Sequence, residues 1–302
     1  MDRELTRELV AERFARAAVV KSNPVREVRT DGEFYYKLDR RSGRTFEREF
    51  RAARLLEERR IPVVQHLWHG VIPAGALLVT RGLAAAPSVH DYLARHYPDA
   101  EFRRKFAVFI RDFLASGLGH IDLHVGNILY STEEGRFVLV DVQGVRRRRR
   151  QKLPYVIVRA VLELRKHLRK DEVCEMLEIV GVPEAGRFFD RSLRIEAAAI
   201  NRDWEKRRRQ ILSGYPKFTR IDGTKLVAVS ATPEELENLA WRSGSEAEFV
   251  SAFYWELAEI PHERAVAFDR EKREVGIAPP PFPTPLAPEE VAARRRVLEN
   301  AW

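Results

Sequence analysis

Hydrophobic and polar positions alternate in short runs over the first eighty residues. Ala18–Val20, Val25–Arg29 and Phe34–Leu38 read as three strands, joined by the turns Lys21-Ser22-Asn23-Pro24 and Asp31-Gly32. After Gly43 the period lengthens: Phe46, Phe50 and Ala53 form one stripe with Leu56 beside it, which predicts a helix ended by Ile61-Pro62. Two more strands follow, Gln65–Val71 and Ala76–Thr80, around Pro73-Ala74-Gly75. The pattern predicts a small antiparallel sheet with one inserted helix.

From Ser88, a plausible N-cap with Asp91 three residues on, the chain turns helical. Phe102, Phe106, Phe109 and Phe113 at helical spacing mark a core-facing helix over 101–116, ended by Gly117 and Gly119. A hairpin follows, Ile128–Tyr130 and Phe137–Val140 around Glu133-Glu134-Gly135. Ile157, Val161, Leu164 and Leu168 mark another helix, and more helices run through 171–212. Phe218–Ile221 and Thr224–Val229 flank Asp222-Gly223, a hairpin signal, and Thr232-Pro233-Glu234-Glu235 is a capping box opening a helix. Residues 278–288 hold six of the sixteen prolines and read as a linker or surface strap before a short terminal helix. The fold class is α+β, and the chain has no internal repeat.

Composition narrows this picture. A length of 302 residues permits one large domain or two lobes. The single cysteine, Cys174, excludes an intramolecular disulfide framework and argues against a cysteine-rich zinc site. The longest apolar run, Val71–Val79, is interrupted by Pro73 and Gly75 and stopped by Arg81, too short to span a bilayer. The N-terminus has no signal-peptide core, so a cytoplasmic location is expected. Net charge is +8, and part of it is clustered. Lys206–Arg209 and Arg294–Arg296 are expected to be solvated helix faces. Five adjacent guanidinium groups, Arg146–Arg150, repel one another and are expected to face something anionic.

The densest chemistry lies at 120–127, His-Ile-Asp-Leu-His-Val-Gly-Asn, followed by Val-Leu-Val-Asp at 138–141. Asp122, Asn127 and Asp141 thereby share one loop-and-hairpin unit. Phosphoryl transfer needs such a set: a carboxylate to orient the acceptor hydroxyl, and an amide oxygen and a second carboxylate to hold metal ions. The bland alternative is three turn residues satisfying backbone donors.

Together with Lys-Ser-Asn-Pro-Val-Arg-Glu-Val at 21–28, Tyr-Tyr-Lys-Leu at 35–38, Arg-Glu-Phe-Arg-Ala-Ala-Arg-Leu-Leu at 48–56 and Asp-Val-Gln-Gly-Val-Arg at 141–146, the loop resembles the protein-kinase-like superfamily. Within it the chain is most similar to the bacterial lipopolysaccharide core kinases, which phosphorylate Kdo or heptose sugars on lipid A. The resemblance covers residues 15–212 and implies a bilobal fold, with a sheet-rich lobe over 1–82, a mainly helical lobe over 83–215 and an extension over 216–302 packed on it. It implies Asp122 as catalytic base, Asn127 and Asp141 as Mg2+ ligands, and Lys37 on the ATP phosphates, paired with Glu49. Glu47 competes for that pairing, because residues two apart on a helix cannot both face Lys37. His124 stands where protein kinases place a phosphate-contacting lysine, and His120 shapes the loop. Ser22, Thr80 and Leu83 are the other implied nucleotide contacts; the charge cluster, rather than the resemblance, makes Arg146, Arg147 and Arg148 the expected substrate contacts.

The sequence departs from the protein-kinase pattern twice. Lys21-Ser22-Asn23-Pro24 replaces a glycine-rich loop, and Asp-Val-Gln-Gly replaces Asp-Phe-Gly, with no Ser or Thr over 146–160. The second departure points to a constitutively assembled small-molecule or glycolipid kinase. The expected reaction is transfer of the γ-phosphoryl group of ATP to a sugar hydroxyl of the lipopolysaccharide inner core. The expected partners are an anionic glycolipid and an acidic membrane surface at the inner face of the cytoplasmic membrane, with no nucleic acid. The alternatives are an aminoglycoside-like small-molecule kinase, a RIO-like protein kinase, a pseudokinase scaffold, and a zinc hydrolase using His120, Asp122 and His124.

Overall fold

The computed structural model describes residues 5–41, 43–83, 86–147, 155–257, 264–278 and 288–299. The chain forms two compact units, one of residues 1–93, 99–161 and 179–181, the other of 94–98, 162–178 and 182–302.

The first unit opens with α1 (Arg7–Arg16), whose start is capped by the Thr6 hydroxyl accepting from the Leu9 N–H at 3.3 Å. The hydrophobic pattern does not signal this helix, because its buried face consists only of Val10 and Phe14. Then come β1 (Ala18–Ser22), β2 (Arg26–Thr30), β3 (Phe34–Asp39), α2 (Arg44–Glu58), β4 (His66–Ile72) and β5 (Gly75–Arg81). All five strands pair antiparallel in the order β1-β2-β3-β5-β4. One face of the sheet (Phe34, Tyr36, Leu38, Leu77, Val79) packs with Val10 and Phe14 of α1. The other face, through Ala76 and Leu78, packs with Phe46 and Phe50 of α2. Leu77, Leu78 and Val79 are fully buried, each contributing about 1.5–3 kcal/mol of hydrophobic stabilisation. Strand parity therefore decides where Lys37 goes. It pairs with Leu78, and alternation puts it opposite Tyr36 and Leu38, on the α2 face.

The unit continues with α3 (Val89–Leu93), α4 (Ala100–Ala115), β6 (Leu118–His120), β7 (Ile128–Ser131), β8 (Arg136–Leu139), β9 (Val145–Arg147) and α5 (Tyr155–Leu162). Ser88 and Asp91 form the expected cap of α3, and Asp99 caps α4 by accepting from the Phe102 N–H at 2.8 Å. The α4 phenylalanines are core: Phe102, Phe106 and Phe109 stand around the Phe137 ring at 5.1, 5.0 and 5.9 Å. This packing fixes the β7–β8 hairpin. The β8 end is also tied back, with Leu139 N–H donating to Pro62 and Val64 N–H donating to Leu139. Val140 N–H donates to the Asn127 carbonyl at 3.0 Å, so Asn127 and Asp141 stand at neighbouring ends of one hairpin.

The second unit holds most of α6 (Lys170–Val180), α7 (Ala185–Leu212), β10 (Thr219–Asp222), β11 (Lys225–Ala228), α8 (Pro233–Glu237), β12 (Ala240–Ser243), α9 (Glu246–Leu257), β13 (Ala265–Asp269), β14 (Glu274–Ile277) and α10 (Pro288–Glu299). The Asp222-Gly223 hairpin forms as read, with Gly223 at φ 58°, and Thr232 and Glu235 make a reciprocal capping box. The rest of the second sheet, antiparallel in the order β10-β11-β13-β14-β12, is not visible in the pattern. Its core joins Leu226, Phe268 and Val275 to Phe249 of α9 and to Trp204 and Ile211 of α7. The last turns of α7 thus share a core with residues beyond 215, the expected start of a separate extension.

Arg294 corrects the expectation of a solvated Arg294–Arg296 face. It is 3% exposed, donates to the carbonyls of Arg165 and Leu168, and pairs with Glu290 at 2.6 Å. Three acceptors compensate its desolvation. Lys206, Arg208 and Arg209 are exposed as expected. Most of the proline strap, 279–287, lies outside the described residues, as do Arg148–Arg150. Among the described residues no helix is long and apolar enough to cross a membrane.

Candidate active site

The first unit gathers the predicted site residues through three local devices. The first is the strand parity that turns Lys37 toward α2. The buried stripe of α2 is Phe46, Glu49, Ala52, Ala53 and Leu56, so Glu49 faces the sheet at 2% exposure. Its Oε1 lies 2.6 Å from Lys37 Nζ, while Glu47 points outward and pairs with Arg51 at 2.8 Å. Burial pushes the Glu49 pKa up, but His66 and the charge of Lys37 outweigh it and hold the carboxyl below its ordinary range.

His66 had no signal in the sequence beyond being polar at the head of a strand. Its Nδ1 lies 2.8 Å from the Val64 carbonyl, which only accepts, so Nδ1 carries a hydrogen. Its buried Nε2 faces Glu49 at 3.6 Å, longer than a hydrogen bond. Glu49 thus sits between two nitrogen groups and is held in one place.

The second device is the loop between β6 and β7. His120 is buried, and its Nδ1 accepts from the Asp122 N–H at 3.0 Å, which pins the backbone of the loop. Burial lowers the His120 pKa, against the Asp141 backbone and the Asp141 and Asp122 charges, so neutral imidazole is favoured. Asn127 Nδ2 donates to the Asp122 carbonyl at 3.0 Å, leaving the amide oxygen for another partner. His124 caps a short 3-10 turn over Val125–Asn127, its Nδ1 accepting from Gly126 N–H at 3.1 Å. A Cβ at Gly126 would stand 2.9 Å from His124 Cε1, so any other residue there would push the imidazole out of this position. Asp122 itself is exposed.

The third device is the backbone at Asp141, which adopts φ 54° and ψ 47°, a left-handed conformation Asp tolerates better than most residues. This bend ends the hairpin and leaves the carboxylate 43% exposed, 3.8 Å from Lys37 Nζ. Lys37 therefore links Glu49 to Asp141.

A cavity of about 190 Å³ opens beside these groups, lined by Asp122 and Asp141 together with Thr45, Arg48 and Arg146. Neither Thr45 nor Arg48 was given a role from the sequence, where Arg48 only opens the 48–56 motif. Arg147 is exposed next to Arg146, and Arg148 lies outside the described residues. Thr80 is buried in β5 opposite Tyr35, Leu83 is half-buried just past that strand, and Ser22 is exposed at the end of β1. Neither Thr80, Leu83 nor Ser22 lines the cavity. Among the described residues no three His, Cys, Asp or Glu side chains converge as a metal site, so His120, Asp122 and His124 do not form the zinc set.

No curated protein matches this sequence. Among solved structures, vaccinia related kinase 3 is 16% identical, with 43% of this chain and 47% of that chain covered and a TM-score of 0.34. The Cydia pomonella granulovirus kinase PK-1 is 17% identical, with 46% and 58% covered and a TM-score of 0.33. This chain thus spans about half the length of those structures. The segment 32–154, which contains Lys37, Glu49, the 120–127 loop and Asp141, matches the lipopolysaccharide kinase (Kdo/WaaP) family.

Proposed function

We propose that the protein is an ATP-dependent kinase that phosphorylates a sugar hydroxyl of the lipopolysaccharide inner core, working at the inner face of the cytoplasmic membrane. The observation that carries this reading is the relay of Glu49, Lys37 and Asp141, at 2.6 and 3.8 Å, ending beside Asp122 inside the family-matching segment. The residues fit a magnesium ion: the Asn127 amide oxygen and the exposed Asp141 carboxylate are hard oxygen donors. Mg2+ is commonly bound by one or two carboxylates plus substrate phosphates rather than by a full protein cage. When bound, the ion neutralises charge on the transferred phosphoryl group.

The side chains do the rest. Glu49 holds the Lys37 ammonium pointed at the nucleotide phosphates, and burial of Glu49 keeps that direction fixed. Asp122, free in solvent, accepts the proton of the acceptor hydroxyl as the oxygen attacks phosphorus. His120 holds the Asp122 backbone, and His124, whose Nδ1 is taken up by the Gly126 N–H, has its other ring nitrogen left for the transferred group. The basic stretch from Arg146 suits an acceptor rich in phosphate and carboxylate and a membrane of acidic lipids.

Purified protein incubated with labelled ATP and lipid A precursors carrying Kdo or heptose, beside a generic protein substrate, tests this directly. Label is expected in the glycolipid. Label confined to protein would reject the acceptor and favour a protein kinase. Asp122→Ala is expected to cut turnover by about 10²–10⁴ while nucleotide affinity stays unchanged; full activity in that variant would sink the mechanism.

A further inference from the structure

We propose that Arg48 of α2 and Arg146 of β9 together form a subsite for an anionic group of the acceptor, a carboxylate or a phosphate next to the hydroxyl that reacts. This inference rests on the kinase reading above and adds the residues that select the acceptor. Both arginines line the cavity that holds Asp122 and Asp141. Neither has a hydrogen bond or ion pair among the described residues, whereas arginines nearby on α2 do, Arg51 with Glu47 among them. The carboxylates on the same cavity, Asp122 and Asp141, pair with neither arginine and have other roles in the proposed reaction, so an anionic group of the acceptor supplies the partner the two arginines lack. The planar fork of arginine suits both carboxylate and phosphate.

The cavity lies on the acceptor side of Asp141. None of Lys37, Thr80 and Leu83, the residues assigned to the nucleotide, lines it, while Asp122, assigned to the acceptor hydroxyl, does. At about 190 Å³ it is smaller than the ~300–1,000 Å³ typical of sites enclosing a whole drug-sized ligand, so it takes one group of a larger acceptor. Thr45, one turn before Arg48, adds a hydroxyl to the same wall. The geometry also couples the two substrates. Consecutive residues of α2, Arg48 and Glu49, face the acceptor cavity and the nucleotide lysine respectively.

The test uses the full chain saturated with a non-hydrolysable ATP analogue, so that the nucleotide site is closed to the probe, and titrates inorganic phosphate by calorimetry. Wild type is expected to bind phosphate, and Arg48→Gln or Arg146→Gln to weaken it about tenfold each at unchanged melting temperature. No binding by wild type, or equal binding by the double variant, overturns the subsite. In turnover with lipid A precursors, the acceptor KM is expected to rise about tenfold in each variant, with the ATP KM within about twofold of wild type. A rise in the ATP KM instead places the arginines on the nucleotide and overturns the proposal. Sedimentation with phosphatidylglycerol vesicles separates an acceptor anion from a lipid headgroup. Retained vesicle binding supports the acceptor, and lost vesicle binding with an unchanged acceptor KM overturns it. Should no glycolipid be phosphorylated at all, the kinase reading fails, and the phosphate titration still decides the subsite.

Discussion

The chain builds five antiparallel strands under a helix twice, and uses the two sheets differently. In the C-terminal sheet, Leu226, Phe268 and Val275 meet Phe249 of α9 in a wholly apolar contact. In the N-terminal sheet, Phe46, Ala76 and Leu78 make a similar but smaller contact with α2, and beside it sits a buried glutamate facing a lysine. A buried ion pair is not an efficient way to hold a helix to a sheet, because desolvation offsets most of the attraction. The polar defect in an otherwise ordinary helix-on-sheet layer therefore sits where the proposed chemistry needs it. In the C-terminal layer the ion pair between sheet and helix, Arg242 with Glu248, is instead largely open to solvent, and the layer reads as scaffold.

Substitutions in the two layers separate these roles. Phe249→Ala is expected to cost about 3–5 kcal/mol by leaving a cavity in the C-terminal core, measured by urea unfolding. Nucleotide affinity of the remaining folded protein should hold, and a specific loss there would break the contrast. Glu49→Gln is expected to cost less stability, about 2 kcal/mol, since Lys37 keeps partial access to water, but to reduce turnover about 10²-fold by releasing the lysine. Unchanged turnover would make Glu49 a structural residue only.

Acid sharpens the same point. Glu49 is held below its ordinary value, so its stabilisation is present above that value and is lost as pH falls through the depressed one. Glu27, Asp31 and Asp269 follow the same trend, so the readout is the difference between proteins. Wild type should lose its thermal advantage over Glu49→Gln as pH falls below about 4. A constant gap would show that the pair does not contribute. The smallest effect is expected from Glu47→Gln, which removes an exposed pair with Arg51 and should shift stability by under about 0.5 kcal/mol with turnover intact.

The 120–127 loop and Asp141 were legible because their spacing is local: the loop is followed directly by a hairpin, and Phe137 anchors that hairpin to α4. Lys37 was legible as the middle of a strand. The choice between Glu47 and Glu49 was not, although Glu49 lies three residues after Phe46 and four before Ala53, on their stripe. A charged residue on an apolar stripe is easily read as an interruption. His66 left no trace, and Arg48 appeared only as the first residue of the 48–56 motif with no role attached, because their surroundings come from segments distant in sequence. α1 and most of the second sheet were missed for a related reason. Two buried side chains do not make a period, and β12 and β13 pair with β14 and β11 across long connections.

The order of chemical groups along the chain, a strand lysine, a helix glutamate, the Asp-to-Asn loop and a hairpin-end aspartate, is written in the sequence, because each group depends on local period and turn chemistry. The tertiary structure decided which glutamate meets the lysine, that His66 shares it, that Arg294 is buried, and that Arg48 joins Arg146 around one cavity. Each of those outcomes depends on two segments meeting in space. Strand parity and helix phase determine which way a side chain turns, but only packing determines what it finds there.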